Sequence, residues 1–71
     1  MTLNEAVLGK EYIIKSVNTE GDEEIESFLF SLGCYSGETI TVVDKKTNLV
    51  VSIKDARYNI DPDLAGAIEI E

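Results

Sequence analysis

One helix pattern among many short strand-like segments is the feature that most restricts how this chain can fold. Its apolar residues recur at i, i+3, i+4 and i+7 and predict one buried stripe of an amphipathic helix: Ile25, Phe28, Leu29 and Leu32. Asp22 precedes the pattern as a predicted N-cap, and Gly33 is placed to end the helix with positive φ. Phe30 lies off the stripe.

The rest of the chain is dominated by short segments of β-branched and aromatic residues. The first of them should turn Tyr12, Ile14 and Val17 inward, and their uneven spacing predicts a bulge near Ser16. Turn signals separate these predicted strands, which cover residues 11–17, 38–44, 49–54, 57–60 and 68–70.

Two short helical turns complete the expected order of elements. Thr2 and Glu5 fit a capping box at the start of the chain. Asp61 followed by Pro62 predicts a second helix start, and that turn should end at Gly66. The pattern favours a mainly β fold, a small and partly open barrel whose mouth is capped by the one amphipathic helix.

Length and charge limit the possible functions. The 71 residues contain one set of elements, so we expect a single domain over 1–71. Six Lys and Arg against 14 Asp and Glu give a formal charge of -8, which argues against nucleic-acid binding and against docking on anionic lipid. A basic protein surface is a compatible partner. With no signal peptide and no apolar run long enough to insert in a membrane, we expect a cytoplasmic protein.

The residues needed for catalysis are scarce. The chain has no His and no Trp, and its lone cysteine, Cys34, has no basic neighbour to activate it, so we expect neither an enzyme nor a bound cofactor. An acidic run offers oxygen ligands for a hard cation but is better explained as a solvated helix start: Glu20, Asp22, Glu23, Glu24 and Glu26.

Spaced motifs along the whole chain resemble one known family. These are Thr2-Leu3-x-x-Ala6-x-x-Gly9 with Tyr12-x-Ile14-x-x-Val17, then Leu29-x-x-Leu32-Gly33-x-x-x-Gly37-x-x-Ile40-x-Val42-Val43, then Tyr58-x-Ile60 with Ala65-x-x-Ile68-x-Ile70. In order and spacing they are similar to the FeoA family of ferrous iron transport proteins. The resemblance implies an SH3-like barrel with added helices.

The resemblance also implies a function, that of a small cytosolic accessory or regulatory protein for ferrous iron uptake. Its partner would be FeoB, the membrane ferrous iron transporter with a cytosolic GTPase domain. We expect the contact near the end of the helix and the following loop, at Leu29, Leu32, Cys34 and Tyr35. The chain departs from the family pattern at Cys34 and Ser36, which predicts a looser loop.

Two other functions compete with this interpretation. One is a metal-sensing or iron-carrying protein that uses the acidic run, although binding without His or paired Cys should be weak. The other is an SH3-type adaptor for Pro-rich peptides, which 7% aromatic residues and the lack of Trp disfavour. Phe30 and Tyr35 either pack against the strands or form an exposed contact surface.

Overall fold

The order of elements is the one that the sequence predicts. The structure is a computed structural model that describes residues 1–71. A 3-10 helix at Leu3–Glu5 comes first, followed by β1 (Glu11–Val17), α1 (Glu23–Leu32), β2 (Thr39–Lys45), β3 (Leu49–Ile53), β4 (Ala56–Ile60), α2 (Pro62–Gly66) and β5 (Ile68–Ile70).

The five strands form one antiparallel sheet in the order β4-β3-β2-β1-β5, and the sheet does not close. The chain start covers the outer edge of β5, where the Ile70 N–H donates to the Met1 carbonyl (2.8 Å) and Thr2 bridges Glu69. The predicted mainly β, partly open architecture is therefore confirmed.

The predicted bulge in β1 is also present. The register between β1 and β5 pairs Ile14 with Ile70 and then Ser16 with Glu69, so Lys15 has no partner residue in β5. An extra residue in one strand of a pair increases the local bend and twist. At this point β1 passes from its pairing with β2 to its pairing with β5.

Every buried residue of the core is hydrophobic, and no buried polar side-chain atom lacks a hydrogen-bond partner. The core follows strand alternation, because one side of each strand faces inward. Its largest fully buried side chains are Leu3, Ile14, Leu29, Ile40, Leu49, Ile53, Ile60, Ile68 and Ile70.

No helix of the protein combines the length and the apolar character that a membrane-spanning helix needs.

The β3–β4 turn lies one residue earlier than the sequence predicts. Lys54 and Asp55 both have positive φ, 50° and 65°, and form the two-residue connection. Two such residues in succession are the geometry of a type I′ hairpin turn, which matches the right-handed twist of paired strands. Lys54 therefore belongs to the turn, and Ala56 already belongs to β4.

The orientation of α1 differs from the predicted one. Only Leu29 of the four stripe residues is fully buried, and Leu32 is partly buried. Ile25 and Phe28 are 36% and 46% exposed. The helix therefore turns a neighbouring face to the barrel, and the prediction that the whole stripe packs inward is wrong for Ile25 and Phe28.

Candidate functional site

Backbone hydrogen bonds at Gly33 and Cys34 end α1. Gly33 has φ 99°, its N–H donates to the Phe30 carbonyl (2.9 Å), and the N–H of Cys34 donates to the Leu29 carbonyl (3.1 Å). These two bonds are those of a Schellman motif, in which a glycine in the left-handed region ends the helix. An apolar contact between the residues that correspond to Leu29 and Cys34 often accompanies this motif, and both residues are buried here.

Residues 34–37, which we call the aromatic loop, are attached to β1. The Gly37 N–H donates to the Ile14 carbonyl (2.8 Å), and the Ser36 hydroxyl donates to the Lys15 carbonyl (2.9 Å). The Glu38 N–H donates back to the Tyr35 carbonyl (3.0 Å), which closes the turn. The departure at Ser36 therefore supplies a hydrogen bond to the bulge of β1, and the expectation that this loop is looser than in other family members stays a prediction.

Tyr35 is the exposed aromatic residue of this loop. Its ring stacks on the ring of Phe30, with 5.2 Å between centroids and 11° between planes. Tyr35 is 49% exposed, and Phe30 is half-buried beneath it. Of the two possibilities that the sequence left open, the exposed surface therefore applies to Tyr35, and Phe30 is the support that it rests on.

The four residues predicted near a partner contact have different surroundings. Leu29 and Cys34 are buried, and their side chains belong to the core. Neither can reach a partner while the domain is folded, so they would influence a contact only through the position of the loop. Leu32 packs partly against the core, and Tyr35 faces outward. A contact at Leu32 and Tyr35 remains a prediction.

The thiol of Cys34 is in a poor environment for chemistry. Desolvation by burial raises its pKa from 9.0 to about 11. Since the thiolate is the nucleophile and the metal ligand, the group stays protonated at neutral pH. Cys34 behaves as a small apolar core residue.

The acidic run forms the start of α1. The Asp22 side chain accepts from the N–H groups of Glu24 and Ile25 at 3.1 and 3.2 Å, and Glu23, Glu24 and Glu26 follow in the first turn. Carboxylates at this position are favoured by the helix dipole. No three His, Cys, Asp or Glu side chains of the chain come together in a group that could hold a metal ion.

Comparison with known proteins assigns the family. The model of the FeoA domain matches residues 1–71. The chain belongs to the FeoA family. FeoA is a family of small SH3-like accessory proteins associated with ferrous iron transport, so the resemblance stated from the sequence motifs is confirmed.

Solved structures of FeoA proteins have the same fold. The chain is 25% identical to Stenotrophomonas maltophilia FeoA in complex with zinc, a procaryotic SH3 domain protein, with a TM-score of 0.90 over 100% of this chain and 89% of that one. An iron uptake regulatory protein (FeoA) is also 25% identical, with a TM-score of 0.88 over 100% and 93%.

A third FeoA-type structure is longer than this chain. Iron(II) transport protein A from Clostridium thermocellum is 26% identical, with a TM-score of 0.85, and the match covers 100% of this chain and 44% of that one. None of the curated proteins compared with the sequence matches it. The structural matches confirm the SH3-like fold class.

Proposed function

We propose that this FeoA protein is a cytosolic accessory protein of ferrous iron uptake that acts by binding the cytosolic part of a FeoB-like transporter, without catalysing a reaction itself. The exposed Tyr35, held on Phe30 by the aromatic loop, is the observation that carries the proposal. The S. maltophilia relative is described as a candidate activating factor of bacterial ferrous iron transport, which is consistent with such a role.

Tyr35 has the properties of an interface anchor. Tyr is enriched at binding hot spots because its ring is apolar and its hydroxyl tolerates water. Association also costs the entropy of ordering flexible side chains. Stacking on Phe30 and the backbone hydrogen bonds of residues 34–37 restrict the Tyr35 side chain before a partner binds, which lowers that cost.

Charge favours a basic contact surface on the partner. The protein has a formal net charge of -8. Cytoplasmic loops of membrane proteins are rich in Lys and Arg, so their charge is opposite. Opposite charges at a distance mainly accelerate association and make it sensitive to salt. Binding should therefore slow as the ionic strength rises.

The test is binding of the purified transporter cytosolic domain to the parent protein and to Tyr35→Ala at low and high salt. We expect Tyr35→Ala to lose about 2 kcal/mol or more of binding free energy with an unchanged circular dichroism spectrum. Tyr35→Phe keeps the stacked ring and should retain most of the affinity. Val7→Ala, which trims an exposed apolar side chain elsewhere, is the control.

Two results would count against the proposal. If the parent protein shows no binding to the transporter domain, the partner is wrong. If the parent binds and Tyr35→Ala binds equally well, the partner is right and Tyr35 is not its anchor.

A further inference from the structure

A second surface feature lies near the other end of α1 from Tyr35. It is a groove of about 420 Å3 between the start of α1 and the short helix α2. Its apolar side chains come from both helices and from the residue after α2. Its charged side chains are Glu20 in the loop before α1, Asp61 at the N-cap of α2 and Asp63 in α2. The residues that matter are Glu20, Ile25, Asp61, Asp63, Leu64 and Ala67.

The walls of this groove are held by hydrogen bonds. The Asn18 N–H donates to the Ala67 carbonyl (2.7 Å), which ties the loop before α1 to the end of α2. The Asp61 carboxylate accepts from the Leu64 N–H (2.8 Å) and caps α2. A ligand would therefore meet a shape that exists before binding, which lowers the entropy cost of association.

The apolar part of the groove continues onto an open surface. Ile25 is 36% exposed, and Phe28, one turn further along α1, is 46% exposed. Residues three apart are neighbours on a helix surface, so the two side chains form one apolar strip. Leu64 and Ala67 are only partly buried on the facing side.

The charge of the groove has one sign. None of the six Lys and Arg residues lines it. Its own carboxylates, together with those of the N-cap and first turn of α1, account for seven of the 14 acidic residues of the chain: Glu20, Asp22, Glu23, Glu24, Glu26, Asp61 and Asp63. Apolar side chains bordered by carboxylates complement a ligand that is both apolar and cationic.

We infer that this groove binds a segment of another protein in which one apolar side chain is flanked by Lys or Arg. The apolar side chain would lie against Ile25 and Leu64, and the cations would face Glu20 and Asp63. This groove is separate from the surface at Tyr35, and the segment need not belong to the transporter.

Other occupants fit the groove less well. A metal ion needs converging ligands, and the carboxylates do not form such a group. A nucleic acid would meet only like charge. A second copy of this chain would bring another charge of -8 to a surface that is already acidic.

The test uses amide chemical shifts of the 15N-labelled full chain during titration with capped short peptides. The probes carry a central Leu, Ile, Met or Phe with lysines on both sides. The matched controls replace the central residue with Ser or the lysines with Glu, and spermidine serves as a purely cationic control. Shifts should concentrate on residues 18–20, on Ile25 and on residues 63–67, and binding should weaken with salt.

Variants separate the apolar contribution from the charge. We expect Glu20→Gln with Asp63→Asn to weaken binding about fivefold at low salt, since two exposed ion pairs are removed. Ile25→Ser should weaken binding about tenfold through lost apolar contact. Glu11→Gln with Asp44→Asn removes the same charge from residues outside the groove and should leave binding nearly unchanged.

Several outcomes would overturn the inference. One is that no lysine peptide shifts the groove amides even at high peptide concentration. Another is that spermidine or the Ser peptides bind as well as the apolar ones, because the site would then be charge alone. Shifts of the same amides that grow with protein concentration before peptide is added would instead make a second copy the occupant.

Discussion

The ring of Tyr35 lies on the ring of Phe30, with 5.2 Å between the centroids and 11° between the planes. The two residues belong to different elements, since Phe30 is in the last turn of α1 and Tyr35 is in the aromatic loop. The stack therefore couples the direction of the loop side chain to the helix. An aromatic pair of this kind contributes about 0.5–1.5 kcal/mol beyond the area that it buries.

A double-mutant cycle should measure that coupling. We expect Phe30→Leu and Tyr35→Leu to interact by about 0.5–1.5 kcal/mol in the free energy of unfolding, because either change alone removes the stack. Urea denaturation of the parent, the two single variants and the double variant supplies the four values. Additivity within about 0.3 kcal/mol would mean that the rings are in contact without energetic coupling.

Two glycines with the same backbone conformation should respond differently to substitution. Gly33 and Gly37 have φ 99° and 92°, so alanine is strained at both. A Cβ on Gly33 would lie 3.2 Å from Cγ2 of Ile53, whereas a Cβ on Gly37 meets nothing within 4 Å. Gly37→Ala should cost about 1 kcal/mol from the left-handed conformation alone.

Gly33→Ala should cost clearly more than Gly37→Ala in the same denaturation experiment. Ile53 is buried in the core, so moving it disturbs the close packing around it. The difference between the two variants measures the cost of that close approach. Equal losses would show that Ile53 moves aside freely.

The orientation of α1 can be tested with its two neighbouring apolar residues. Leu29→Ala should cost about 2–5 kcal/mol because Leu29 is fully buried. Phe28→Ala removes a larger side chain that is 46% exposed, and it should change stability by only about 0.5 kcal/mol. Thermal melts followed by circular dichroism give both values. A large loss of stability for Phe28→Ala would mean that Phe28 packs inward, as the stripe pattern predicted.

Local signals in the sequence were enough to predict most of the elements. Asp22, Gly33 and the Asp61-Pro62 pair each mark a helix end by a mechanism that acts within a few residues, and all three lie where they were expected. The bulge near Ser16 followed from the spacing of apolar residues in β1, and it is present. These features depend little on the rest of the fold.

The orientation of α1 about its own axis could not be predicted from local sequence signals. The spacing of Ile25, Phe28, Leu29 and Leu32 shows that they share a side of the helix, but not which side meets the sheet. In the structure the rotation of α1 buries Leu29 and brings Gly33 close to Ile53 in β3. Packing against a distant strand is not visible in the local sequence of the helix, and the same rotation leaves Ile25 exposed at the groove.

Among the acidic residues at the start of α1, Asp22 should contribute most to the free energy of unfolding. Asp22→Ala should cost about 1 kcal/mol, because the N–H groups of Glu24 and Ile25 lose their acceptor. The double change Glu23→Gln and Glu24→Gln should cost less than about 1 kcal/mol, since each exposed contact with the helix dipole is small. Denaturation midpoints compare the two.

The same double variant tests the metal-binding alternative in cells. If Glu23 and Glu24 serve only the helix, ferrous iron uptake should be unchanged in cells that carry the stable Glu23→Gln, Glu24→Gln protein. Loss of uptake with normal protein levels would show that the acidic run has a role beyond the helix, either in metal binding or in contact with a cationic partner.

Burial of Cys34 should make stability depend on alkaline pH. Its pKa is 9.0 when exposed and about 11 in the folded protein, so the folded state holds the thiol proton more tightly than the unfolded state does. Below pH 9 both states are protonated, and the group adds no pH dependence. Between pH 9 and about 11 only the unfolded state releases the proton, so stability falls as the pH rises. Over that window the loss should reach about 2–3 kcal/mol.

Cys34→Ala isolates this contribution, because the other groups that titrate at alkaline pH are common to both proteins. Urea denaturation of parent and variant at several values of pH should show a difference in unfolding free energy that is constant below pH 9 and shifts in favour of the variant above it. The native thiol should also react slowly with iodoacetamide at neutral pH and rapidly once the protein is unfolded in urea, because alkylation needs the thiolate and access to sulfur. Parallel stability curves for the two proteins up to pH 11, or fast alkylation of the folded protein, would mean that Cys34 is not held as a buried thiol.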